Sequence, residues 1–164
     1  NENLPLYGED FWGSLVTISY HPREYKIYLL VDYYPNDPEN GQGGSIRRIF
    51  TLNLSDQKYN EGINVPDFIS RSDGVEMHYI YELIGTTSDG THILLAKTGK
   101  RENSLIAITE EGKTLFSRTL QVFNSPEIYS TYFLSHQGML MALTYLQDEA
   151  YLSWWRSDDL LNGK

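Results

Sequence analysis

The chain has 164 residues, with 13 Lys and Arg against 22 Asp and Glu for a formal net charge of −9. That balance repels phosphate backbones and anionic headgroups, so no nucleic-acid partner is expected; the absence of cysteine excludes a disulfide scaffold, thiolate metal sites and cysteine nucleophiles. The length suits one domain that buries about 70% of its extended-chain surface, and no apolar run reaches the roughly 18 residues of a membrane span, so no transmembrane segment is expected.

Residues 1–10 are polar, with a Pro and a Gly, and read as an N-terminal arm. Asn1-Glu2-Asn3-Leu4-Pro5 lacks the basic start and apolar middle of a signal peptide and reads as a processed, truncated or frayed end. A first strand is predicted from Phe11 to Tyr20, ended by His21-Pro22-Arg23, because Pro cannot donate to a ladder. Tyr25 to Tyr34 is the next strand, and its unbroken apolar centre, Ile27 to Val31, suggests burial on both faces. The Pro-, Gly-, Asn- and acid-rich run from Pro35 to Gly44 is irregular. Strand structure resumes from Ile46 to Leu54, and Val65 to Ile69 reads as a short edge strand or a crossing connection.

Glu76 to Ile84 leads into the clearest stretch of the chain, Thr87 to Arg118. Here Ser-Asp-Gly and Glu-Glu-Gly-Lys turns and a polar loop separate strands around Ile93–Ala96, Leu105–Ile108 and Thr114–Phe116, with Gly supplying the positive φ of short hairpins. Three more strands follow, Ile128 to Leu134, Met139 to Leu146 and Ala150 to Arg156. Ser157-Asp158-Asp159 either turns the chain again or caps a short helix through Leu161. No segment carries helical periodicity over three turns, and with 13 Tyr and 3 Trp among β-branched residues the fold class is all-β.

Three segments, 12–58, 76–120 and 128–159, share an order of strand, polar turn, dense apolar strand, loop and strand. Gly90 and Gly138 stand 48 residues apart, a propeller-blade spacing. On these repeats, and on Ser104 to Phe116 with its acid-Gly-Lys turn and following aromatic, the chain resembles bacterial β-propeller blades of the WD40-like or quinoprotein-like kind. The Gly-His and Trp-Asp pairs of true WD40 blades are missing. The resemblance implies propeller-like antiparallel blades, about three in an incomplete ring. An up-and-down β-barrel or a sandwich is the alternative.

No Gly-x-Ser-x-Gly, His-Glu-x-x-His or phosphate-binding Gly-Lys motif occurs. If the repeats are aligned, His21, Asp89 and His136 fall on one rim; equivalent positions in neighbouring blades are too far apart to share an ion, so no metal and no cofactor is expected. Asp32, Asp37 and Glu39, with Asn36 and Asn40, are oxygen ligands of the kind calcium takes, but they lack the EF-hand pattern and read better as a solvated loop. The length of that loop still marks Asp37 and Glu39 as candidate ligand-binding residues. Tyr33, Tyr34, Tyr151, Trp154 and Trp155 are candidates for an aromatic platform contacting a sugar ring or a protein partner, although core or inter-blade packing is the better reading of both tryptophans. Trp154 and Trp155 point to opposite faces of a strand.

The expected function is a non-enzymatic binding or interaction module that is part of a larger or oligomeric protein. Its partner would be another protein, or missing blades from another chain, or carbohydrate, and the resemblance implies a bacterial, extracytoplasmic location. A carbohydrate-active hydrolase and a lipocalin-like barrel with a small ligand are the alternatives.

Overall fold

A computed structural model describes residues 11–21, 23–35, 46–66, 68–71, 74–98, 103–119, 128–135, 137–146, 148–156 and 159. The expectations for the arm at 1–10, for Asp37 and Glu39, for His136 and for a helix through Leu161 lie outside these residues.

The described chain is all-β and antiparallel, and its thirteen strands form three open sheets. In the first sheet β1 (Phe11–Tyr20), β2 (Lys26–Pro35) and β3 (Ile46–Asn53) run side by side, and the short strands β4 (Lys58–Tyr59) and β5 (Ile63–Asn64) both pair with β3. The middle sheet is a meander of β6 (Phe68–Arg71), β7 (Gly74–Thr86), β8 (His92–Thr98), β9 (Asn103–Ile108) and β10 (Thr114–Thr119). The last sheet has β11 (Ile128–Leu134), β12 (Met139–Leu146) and β13 (Glu149–Arg156). Among the described residues the sheets are open; of the edge strand or crossing connection expected from Val65 to Ile69, Val65 is buried and Phe68 and Ile69 open β6.

The middle sheet is the sandwiched layer. Leu94 and Ala96 of β8 and Ile106 and Ile108 of β9 pack with Tyr28, Leu30 and Ile49 of the first sheet. The intervening residues Ile93, Leu95, Leu105 and Ala107 pack with Tyr132, Leu140 and Ala142 of the last sheet. Alternation along a strand sends neighbouring side chains to opposite faces, so two apolar neighbours require apolar residues at every position. That explains the continuous run Ile93–Ala96.

The strand expected to be buried on both faces, β2, is packed on both. Tyr28 and Leu30 enter the interface with the middle sheet, while Leu29, Val31 and Tyr33 pack with Phe50 on the other side. Met139 to Leu146 differs: Leu140 and Ala142 point inward and are buried, while Met141, Leu143 and Tyr145 are partly or fully exposed.

The sheets approach most closely through their first long strands, with β1 against β7 and β7 against β11. Thr17 Oγ1 accepts a hydrogen bond from the Leu83 amide at 2.9 Å, satisfying a donor on the free side of β7. A Cβ at Gly85 would stand 2.7 Å from Leu134 Cβ, so the β7–β11 approach depends on the absence of a side chain there.

Gly85→Ala is therefore expected to destabilise the fold by about 1–3 kcal/mol through overpacking. Removing the opposing Cβ, Leu134→Gly, should cost less in the Gly85→Ala background than in the wild type. Urea unfolding of the four proteins in a double-mutant cycle reads this coupling.

Candidate functional site

Five hairpin turns lie on one rim, and each begins with a side chain that accepts hydrogen bonds from the turn's own amides. Thr109 Oγ1 accepts from the Glu111 and Lys113 amides, and Ser135 Oγ from those of Gln137 and Met139. Thr87 Oγ1 accepts from the Thr91 amide and donates to the Asp89 carboxylate. In all three the first amide also bonds the carbonyl four residues on, and the fourth residue is a glycine at positive φ: Gly90, Gly112 and Gly138. Asn53 Oδ1 takes the same part toward the Ser55 amide.

In the first turn an imidazole replaces the hydroxyl. His21 Nδ1 accepts from the Arg23 and Glu24 amides at 3.2 and 2.9 Å, and the loop is one residue longer, closing with His21 N to Lys26 O. His21 is thus the counterpart of Thr87 and Ser135, the residues that open the later turns, and not of His136. Such side-chain caps satisfy turn amides locally and stiffen the turn. The sequence signal was Thr/Ser-x-x-Gly at 87, 109 and 135, in which the initial hydroxyl matters as much as the glycine.

Two depressions open on this rim. A cavity of about 320 Å³ lies where the ends of β1, β7 and β11 converge, lined by Ile18 and Tyr20, Ile84 and Thr86, and Phe133 and Leu134. The other is a cleft between the first and middle sheets, at whose base His92 is almost fully buried. Its Nδ1 lies 2.8 Å from Thr86 Oγ1, and Tyr28 meets the ring edge-on with centroids 4.8 Å apart. Burial, with a smaller electrostatic contribution from the neighbouring His21, depresses the His92 pKa to about 4. Burial also raises the pKa of the Tyr28 phenol, with the Glu110 and Glu24 charges adding to the effect.

At the opposite end of the same interface Asp32 and Arg47 form a buried ion pair at 3.0 Å. They face each other directly across β2 and β3, and the Arg47 guanidinium lies over the Tyr79 ring at 4.4 Å. Asp32 is therefore a strand residue holding an internal charge, which corrects its assignment to a solvated loop. Tyr34 donates toward Asp32 at 3.4 Å and stacks on Trp12 with centroids 4.3 Å apart.

The candidate aromatic residues are distributed over different surfaces. Tyr33 is buried against Phe11 and Phe50 on the outer side of the first sheet, while Tyr34 is half-buried on the inner side. Trp155 packs inward on the core of the last sheet, and Trp154 projects outward, 62% exposed. The sequence reading missed Trp12, whose stacking partner only strand pairing reveals, and the apolar neighbours of Trp154.

Cross-strand rows supply those neighbours. Phe133, Met141 and Trp154 face one another across β11, β12 and β13, and Thr131, Leu143 and Leu152 form the next row. Phe133, Tyr145, Leu152 and Trp154 are all exposed, giving the last sheet an apolar outer face. Among the described residues no group of three or more His, Asp or Glu side chains is placed to hold a metal ion. No helix among them is long and apolar enough to cross a membrane. Comparison with protein-family models, curated proteins and solved structures gives no match, so the functional reading rests on geometry.

Two outcomes follow from the buried groups. The unfolded His92 imidazole takes its proton near 6.5 and the folded one only near about 4, so stability falls as pH drops through that window. The loss is on the order of 3 kcal/mol, and urea midpoints from pH 7 to 4.5 should decline less for His92→Gln than for the wild type. Arg47→Ala strands the Asp32 carboxylate in the interior and should cost about 3–5 kcal/mol, much of it recovered in Arg47→Ala/Asp32→Asn when unfolding is measured by denaturant.

Proposed function

We propose that the chain is a non-enzymatic interaction module on a propeller-like scaffold, and that the outer face of its last sheet is the surface on which a further β-sheet of a partner chain docks. The observation that carries this reading is the apolar outer face of β11, β12 and β13. Its Phe133–Met141–Trp154 row is continuous across three strands, and Leu152 beside it is 52% exposed. Fully burying a large apolar side chain is worth about 1.5–3 kcal/mol, so a sheet covering four residues that are each about half exposed contributes on the order of 3–6 kcal/mol toward the cost of association.

The propeller-like part of the reading draws on the succession of sheets. Each of the first long strands β1, β7 and β11 lies against the next, and the faces stack in chain order. Radial β architectures repeat this relation until a ring closes, leaving no apolar face open. In the last sheet the inner face, with Tyr132, Leu140 and Trp155, is used in the stack. The outer face carries the same kind of residues without a covering layer among the described residues.

The isolated chain should accordingly self-associate, and Leu152→Glu and Trp154→Glu should shift it toward monomer with unchanged circular dichroism, since both side chains point away from the core. Light scattering across a concentration series tests this. A wild-type chain that stays strictly monomeric, or variants that unfold, would remove the basis for the docking face.

A further inference from the structure

The rim cleft between the first and middle sheets has a volume of about 510 Å³, within the range of about 300–1,000 Å³ common for small-ligand sites. Its two walls carry opposite chemistry. On the first sheet Lys26 pairs with Asn53 and Asn53 with Lys58, so their side chains stand in a row across β2, β3 and β4 on the face that Tyr28 presents to the middle sheet. Lys26 contacts Glu24 at 2.6 Å, which engages one of its three donor protons. The Asn53 side-chain oxygen is occupied by the Ser55 amide, which directs its NH₂ group outward as a donor. This wall offers donors and positive charge.

The facing wall is the β9–β10 turn, with Glu110 and Glu111. Its position is set by two glycines. A Cβ on Gly90 would come within 2.8 Å of the Glu110 carboxyl carbon, so the Glu110 side chain lies directly on the Gly90 backbone. A Cβ on Gly112 would come within 2.9 Å of the Asn64 carbonyl oxygen, so the turn reaches across to β5 of the first sheet and closes one side of the cleft. This wall offers acceptors and negative charge. At the base are His92 and, beside it, the buried Tyr28 hydroxyl, which interacts with the Glu110 carboxylate of the acidic wall.

We propose that this cleft binds a small zwitterion of the unblocked dipeptide class, with its carboxylate on the Lys26–Asn53–Lys58 row and its ammonium group on Glu110 and Glu111. The segregation of donors and acceptors selects against the other classes. A simple anion meets the acidic wall and the net charge of −9, and a simple cation meets two lysines. A neutral polyol would use mixed donors and acceptors on each wall, whereas a zwitterion satisfies both walls at once with charge-assisted hydrogen bonds.

The test is saturation-transfer NMR with an equimolar library of unmodified dipeptides, run beside the same library acetylated at the amino end and the same library amidated at the carboxyl end. The unmodified library should receive saturation and both blocked libraries should lose it. Lys58→Met and Glu110→Gln, both at exposed positions, should each weaken binding of the best dipeptide by roughly tenfold or more, as expected for loss of one charge-assisted bond, with melting temperature unchanged. Absence of transfer to every unmodified dipeptide would overturn the proposal. So would equal binding of the blocked libraries, or affinity indifferent to both substitutions.

Discussion

The burial of β8 and β9 on both faces is the constraint on which the rest of the molecule depends. From Ile93 to Ala96 and from Leu105 to Ile108 no position is free to be polar, because adjacent residues serve two different interfaces. This turns the middle sheet into a wall against which the first and last sheets are each positioned. Their relation to one another is indirect, through β7, which touches β1 on one side and β11 on the other. The absence of a side chain at Gly85 keeps the second of these contacts close.

Where that apolar wall ends, the interface between the first and middle sheets changes character at both extremities. One end holds the Asp32–Arg47 pair with Tyr34, Trp12 and Tyr79 around it; the other holds His92, Thr86 and Tyr28. Charges and ring nitrogens inside a low-dielectric contact are tolerated only with partners or in neutral form. The ion pair follows the first course and the neutral imidazole of His92 the second. Above His92 the cleft opens among turns stiffened by their own side chains, which presents its charged walls in fixed positions.

The molecule is asymmetric in how it treats its outermost faces. On the first sheet Leu29, Val31, Tyr33 and Phe50 are buried on the side away from the core stack. On the last sheet the corresponding side remains open at Phe133, Tyr145, Leu152 and Trp154. The interaction reading attaches to the open face for this reason, and the zwitterion cleft, at a different junction, is independent of it.

The all-β class, the long strands and the glycine turns were legible in the sequence because each depends on local chemistry: β-branched and aromatic enrichment, uninterrupted apolar runs, and positive φ at Gly90, Gly112 and Gly138. Double burial of Ile93 to Ala96 was legible for the same reason, since two apolar neighbours leave their mark at every residue. Met139 to Leu146 shows the limit of that signal: its run is equally apolar, yet one face is open, because composition records what a strand can pack against and not whether the neighbour is present. Asp32 read as part of an acidic loop because its partner Arg47 is fifteen residues away and is brought opposite only by the β2–β3 register. Likewise the sequence placed Trp154 and Trp155 on opposite faces, but only the stacking of sheets decided which face was core. The Lys26–Asn53–Lys58 row and the acids opposite it come from three separate strands and a turn of another sheet. Local sequence chemistry determined the elements and their turns, while cross-strand register and the order of sheet stacking decided which side chains meet, because those meetings join residues that share no local signal.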